Sequence, residues 1–359
     1  MSAAAPPTQD HRRARTGHGA RAGRAWVMLA LLFGALFLSA VIAAGLGAVH
    51  YSPVQVLAAL RHGPPNLDSA DIDPARITLW SLRLPRILMA MVVGGSLATS
   101  GVALQSLLRN DLADPYVVGV SSGASVGAEI AYLKHAENVL GGAAAPLTAF
   151  AGGIAAMTLV YGMARRGGQV LVTSLLLGGV VVSAFLGAVS TLILQLSSPD
   201  DAFRTLNRLM GSLQDSTLPQ CAIAAAFLLF GALALFTQSR AMNVFALGEE
   251  SAKQLGVDTE RFKSTLIVTA SLLTASTVAF SGMIGFVGLI VPHAARRLAG
   301  TPDHVRVLPI AAVGGALLMV WADTLARSVM PDNRELPVGV ITAFLGAPFF
   351  IYLLRRHGR

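Results

Sequence analysis

The sequence predicts an all-α polytopic membrane protein with about ten transmembrane helices, and three observations point there. Hydrophobic residues make up 54% of the 359 residues and charged residues only 13%, whereas a soluble domain carries about 25% charged residues. That is too little charge to cover a water-soluble globule, which excludes an ordinary soluble enzyme. The mean hydropathy of +0.63 also excludes a disordered chain, which needs low hydrophobicity and high charge. Finally, long apolar runs recur along the chain and are rich in small residues, 36 of them Gly. Small residues let membrane helices approach closely, and in lipid a helix satisfies its own backbone amides.

Residues 1–24 read as a basic tail carrying Arg12, Arg13, Arg15, Arg21 and Arg24. The apolar run 26–49 exceeds the core of about 7–15 residues in a cleaved signal peptide. It can cross a bilayer core of about 30 Å at roughly 1.5 Å per residue, so it is expected to be an uncleaved first span. Further spans are expected at 84–108, 115–133, 141–164, 169–196, 219–238, 262–283, 286–299, 305–326 and 336–354, the run 286–299 being short for a full crossing. Residues 25–356 thus read as a single transmembrane domain.

Two polar stretches interrupt the pattern. One, 50–83, carries Pro53, Pro64, Pro65, Asp68, Asp71, Asp73 and Pro74. The other, 239–261, is amphipathic and too polar to cross. It should hold a short helix from Glu249 to Leu255 between Gly248 and Gly256, the second glycine being a natural helix stop. A helix lying along the membrane surface there is either a lipid-facing strap or a docking surface for a partner.

The net charge is +8. An even number of spans puts both termini on one side, and eighteen of the 27 Lys and Arg residues fall on that side. The positive-inside tendency then places both termini in the cytoplasm, and the basic balance calls for no nucleic-acid partner.

Chemistry-bearing motifs are few. Cys221 is the one cysteine, so neither a disulfide framework nor a cysteine metal site is expected. None of the three lysines follows a glycine, which removes the phosphate-binding loop of ATP-driven machines; any ATP must be hydrolysed by another subunit. Two overlapping G-x-S-x-G matches place Ser121 and Ser125 in an apolar helical run, not in the strand–turn–helix of a nucleophile elbow, so helix packing or pore lining is the expected role. The eight histidines show no ligand spacing. Glu129 and Asp323 are the clearest acids within spans. Two isolated acids are too few for the relay of an ion-coupled secondary carrier, and Asp323 can pair with Arg327 one helical turn on.

Longer motifs carry a resemblance. They include Leu82-Arg83-Leu84-Pro85-Arg86, Arg109-Asn110-Asp111-Leu112-Ala113-Asp114-Pro115 and Gly119-Val120-Ser121-Ser122-Gly123-Ala124. Ala246-Leu247-Gly248-Glu249-Glu250 follows, with Ala252 and Leu255-Gly256-Val257. Then come Gly285-Phe286-Val287-Gly288-Leu289-Ile290-Val291-Pro292-His293 with Arg296-Arg297, Asp303-His304, Ala322-Asp323, Glu335-Leu336-Pro337-Val338-Gly339 and Gly346-Ala347-Pro348-Phe349-Phe350. In this order, over residues 26–356, they resemble the FecCD family of ABC-importer permeases, which includes vitamin B12, iron-siderophore and haem permeases.

The resemblance implies a vitamin B12-permease-like fold and a non-enzymatic subunit of the bacterial cytoplasmic (inner) membrane. It implies a second permease subunit, as a homodimer or a paired permease, with the pathway at their interface. Two ABC ATPase subunits, which carry the ATP and Mg, and a periplasmic or lipid-anchored binding protein complete the assembly. This chain binds no cofactor. An iron chelate, as iron(III)-siderophore, is the expected cargo, with haem or vitamin B12 as alternatives. By the same resemblance, coupling helices at about 241–257, through Ala246, Leu247, Gly248, Glu249, Glu250, Ala252, Leu255 and Gly256, dock on the ATPase, the two glutamates suiting the N-terminal end of the helix dipole. Arg83 and Arg86, joined by Arg327, are expected to pair with glutamates on the binding protein. Asn110 and Leu112, with Thr173 and Ser174, are expected at the cytoplasmic gate. The family usually has proline between the first two, where this chain has Asp111.

Overall fold

The computed structural model describes residues 10–47, 49–65, 73–134, 136, 141–330 and 335–357. Residues 1–9 of the tail, and the expected external acids Asp68 and Asp71, lie outside them. The described chain is helical apart from a two-stranded hairpin, β1 (Arg165–Arg166) with β2 (Gln169–Val170).

In chain order the helices are α1 (Asp10–Gly45), α2 (Pro53–Arg61), α3 (Pro74–Ile77), a π-helical segment (Thr78–Arg83), α4 (Leu84–Leu108), α5 (Val120–Leu133), α6 (Ala144–Ala164), α7 (Val172–Leu196), α8 (Pro199–Leu209), α9 (Leu218–Thr237), α10 (Ser239–Phe245), α11 (Glu249–Gln254), α12 (Thr259–Ser281), α13 (Val287–Ala299), α14 (His304–Ala326) and α15 (Val338–His357). Among the described residues, seven helical stretches are long and apolar enough to cross a membrane: those of α1, α3–α4, α6, α7, α9, α12 and α14. The expected spans at 115–133, 286–299 and 336–354 correspond to α5, α13 and α15, of 14, 13 and 20 residues.

Several boundaries differ from the sequence expectation, for local reasons. α1 starts at Asp10, inside the arginine-rich segment. The second span starts at Pro74, not Leu84, because Asp73 caps the Ala75 amide at 2.9 Å, Pro74 sits at the first helical position, and the π segment carries the helix on into α4. Arg83 and Arg86 therefore lie inside a helix. A 3-10 turn at Pro115–Val118 occupies the start of the expected third span, and Gly119 at φ 80° turns the chain into α5. The β-hairpin takes residues 169–170 from the expected fifth span.

The bundle is built around α4. In the continuous helix Pro74–Leu108, 83% of the most apolar stretch is buried, against 72% for α12, 56% for α14, 22% for α7 and 17% each for α1 and α9. A Cβ on Gly94 would collide with the Gly315 carbonyl, and one on Gly315 with that of Gly94. Only glycine lets α4 and α14 come this close, and such contact supplies the packing that drives helix association in lipid. α7, α1 and α9 form the outside of the bundle. α7 exposes Leu177, Val180, Phe185 and Leu192, and also the polar Thr191 and Gln195.

Candidate functional site

Among the described residues the ion pairs gather at the two ends of the bundle. At one end α9 leads through α10 into α11. The turn between them rests on Gly248 at φ 120°. Gly256, at φ 84°, closes α11 with a Schellman motif: the Gly256 amide donates to Lys253 and the Val257 amide to Ala252. Ala252 is fully buried, while Leu247 is 71% and Leu255 65% exposed. With Ala246, Glu250 and Lys253 they form an outward face carrying two unpartnered leucines.

Glu249 faces inward instead. Its Oε1 accepts from the buried Lys263 Nζ at 2.9 Å, with Lys253 at 3.6 Å. Burial pushes the Glu249 carboxyl up, but the two ammonium groups outweigh it and hold it below the usual carboxylate range. Lys263 also reaches the Val170 carbonyl at 2.8 Å and Glu260 at 2.7 Å, and Glu260 accepts from the Val170 amide. So Glu249, expected beside Glu250 on the docking face, spends its charge tying α11 to α12 and the hairpin.

α10 is held more firmly still. Phe245 is buried against Phe262, with ring centroids 4.9 Å apart. Arg109, the left-handed cap of α4, lies over the Phe245 ring at 6.0 Å. In the loop after α4, Asn110 is exposed and Leu112 half-buried, and they form one turn, the Leu112 amide donating to Asn110 Oδ1 at 2.9 Å. Asp111 pairs with Arg296 of α13 at 3.3 Å, and both terminal nitrogens of Arg296 donate to the buried Gln105 at 2.8 Å. An ion pair thus tethers the loop where a proline was expected. Thr173 and Ser174 lie in the first turn of α7, a different element.

The opposite end holds the arginines, which are turned inward in this chain. Arg83 and Arg86 are only 6% and 7% exposed, and the Arg327 side chain is equally buried. None offers a free guanidinium to a partner. Arg86 Nε donates to both oxygens of Asp323, at 2.8 and 3.0 Å, and its Nη1 to Glu335 at 2.7 Å. Asp323 is therefore paired mainly across the bundle, with Arg327 second at 3.7 Å. Arg83 donates to the carbonyls of Ala44 and Val49, and Arg327 to those of Ala43 and Leu46. The Ala43 and Ala44 carbonyls belong to the last turn of α1, where intrahelical partners are lacking, and those of Leu46 and Val49 to the chain just after it; two cations satisfy them.

The chain matches the FecCD transport family over residues 28–356. It belongs to that family. The FecCD chain is 44% identical over 283 residues, covering 79% of it and 74% of the relative, to the cobalamin import system permease protein BtuC of Halobacterium salinarum. It is 38% identical, over 77% of it and 83% of the relative, to the hemin transport system permease protein HmuU of Yersinia pestis. Its structure is similar to an ABC transporter of metal-chelate type solved in an inward-facing conformation, with a TM-score of 0.78, 31% identity, and coverage of 91% of this chain and 98% of that one. The protein is thus an ABC importer permease of the FecCD type, a helical transport subunit and not a catalytic one. Sequence reasoning named the motif segments of both ends. It missed Lys263, Asn243 and Gln105 as partners, although a lysine and a glutamine inside apolar runs were a visible signal.

Proposed function

We propose that this FecCD permease carries a bulky metal chelate across the cytoplasmic membrane, driven by ATP hydrolysis on two separate ATPase subunits and fed by an external binding protein. A second permease subunit completes the pathway, and both termini lie in the cytoplasm. The observation that carries the reading is the α10–α11 element. Its two exposed leucines and Glu250 project from a scaffold fixed to α4, α12 and α14, a geometry suited to receiving a push from an apolar cleft. The exposed face of α7, with Thr191 and Gln195 among apolar residues, supports a pathway wall shared with the second permease. Asn110, Leu112, Thr173 and Ser174 stand as its gate residues.

Iron(III)-siderophore is the cargo favoured by the sequence reading. Cobalamin is a second reading, favoured by the 44% identity to a cobalamin permease against 38% to a hemin permease. The test is deletion of the gene followed by uptake of a labelled ferric hydroxamate, hemin and cyanocobalamin. Loss of one cargo, restored by the wild type and not by Leu247→Glu with Leu255→Glu, supports both import and docking. Full restoration by the double variant at equal expression sinks the docking face.

A further inference from the structure

α10 and α14 are joined by one side chain. Asn243 Nδ2 donates to Asp303 Oδ1 at 2.7 Å, and Asn243 Oδ1 accepts from the His304 amide at 2.9 Å and faces His304 Nδ1 at 2.7 Å. Both halves of the amide are used, and both partners sit at the first turn of α14. Asp303 is the cap of that helix, its Oδ1 also accepting from the Val305 amide at 3.1 Å, and His304 is buried. The bond is directional at both ends, unlike the apolar contacts of Met242 and Phe245 on either side of it, so a rotation of α10 is handed to α14 rather than absorbed by sliding.

From that joint α14 runs 23 residues, about 34 Å at 1.5 Å per residue. Proline at 309 interrupts its ladder, but the Gly94–Gly315 contact clamps the helix to α4 beyond that point. At the far end it carries Asp323, the fully buried acceptor of Arg86. α14 therefore holds the α10–α11 element by its first turn through directional hydrogen bonds and the arginine cluster by its last; α4 also touches both ends, but meets α10 through the Arg109–Phe245 stacking contact.

We propose that Asn243 is the positioning residue through which the α10–α11 element moves α14, making that helix the rod that links ATPase docking to the Arg86–Asp323–Glu335 cluster at the other face. The proposal rests on the docking role given to α10–α11 above, and deepens it by naming the transmitting bond.

The test uses the purified permease with its ATPase in proteoliposomes, and an environment-sensitive bimane on Val329→Cys, an exposed position just past α14. The native Cys221 is buried, which leaves position 329 as the labelled thiol. ATP with vanadate should shift the emission in the otherwise wild-type complex. In Asn243→Ala the shift should fall at least about fivefold, within the range of a typical coupling energy, while resting emission and ATPase co-purification stay unchanged and the melting temperature falls by no more than the few degrees that unpairing one buried amide costs. Asn243→Asp sets two carboxylates face to face and should also lose the shift. Adding Asp303→Asn exchanges donor for acceptor and should restore it.

A wild-type complex without a shift, a full shift in Asn243→Ala, or a loss that follows melting temperature overturns the proposal. So does loss of the ATPase from Asn243→Ala, which would make the residue part of docking. Failure of the docking reading has a separate signature: the ATPase stays bound to the Leu247→Glu, Leu255→Glu variant.

Discussion

The two ends of this permease use charge in opposite ways. At the arginine end every guanidinium of Arg83, Arg86 and Arg327 is turned inward onto carboxylates or helix carbonyls. At the α10–α11 end, Lys263 and Glu249 perform the same internal service, but Glu250, Lys253, Leu247 and Leu255 are left on the outside. The first end is closed upon itself, so a change there acts on the stability of the chain. The second leaves an apolar face uncovered, and under the docking proposal changes on that face act on assembly. The contrast also bears on docking: a binding protein that uses Arg86 must compete with Glu335, the half-buried member of the cluster.

The contrast is breakable. Asp323→Ala leaves buried Arg327 without its acid and Arg86 with only the half-buried Glu335, and removing one member of a buried pair costs about 3–5 kcal/mol; the purified variant should show a steep fall in melting temperature in detergent. A melting point within a degree or two of the wild type, about the smallest shift 0.5 kcal/mol can give, would open the closed end. Lys263→Met should cost less, about 1.5–3 kcal/mol, since it removes hydrogen bonds to charged groups but leaves Glu249 and Glu260 within reach of water. Leu247→Glu with Leu255→Glu should change stability by no more than about 0.5 kcal/mol, as exposed substitutions do, yet weaken ATPase retention about tenfold, or 1.4 kcal/mol. The measurement is co-purification against a salt-matched control, and a parallel loss of melting temperature would show that the leucines belong to the fold.

The smallest effect is in pH. Because the folded Glu249 carboxyl lies below its ordinary value, the Glu249–Lys263 contribution is fully present above the ordinary carboxylate range, about 4.3, and is lost as pH falls through the folded value. Melting curves of the wild type and Glu249→Gln should therefore stay apart at neutral pH and converge in acid. Parallel curves down to acid pH would remove the pair from the stability of α11.

Much of the fold was legible because hydropathy is a local signal. Each expected span has a helix, and Gly248 and Gly256 bracket the short helix as expected. The errors came where local chemistry outranks hydropathy: a capped proline at 74 that starts a helix early, and a two-strand turn that delays α7. The site was less legible. Arg83 and Arg86 look external because a window average treats arginine as surface, and nothing near them reveals that Asp323 lies 237 residues on. Glu249 and Lys263 are only fourteen residues apart, but on different helices, where no periodicity connects them.

The capping of α1 has a consequence for biogenesis. The carbonyls of Ala43 in its last turn and of Leu46 just after it wait for Arg327, which lies 284 and 281 residues later in the chain. A helix that enters the bilayer first can satisfy its own backbone only up to its last turn. During synthesis that last turn must borrow water or lipid headgroups until α14 arrives, so the earliest span of this protein is among the last to be locked in place, and a nascent chain stopped short of residue 327 exposes its unfinished end to quality control.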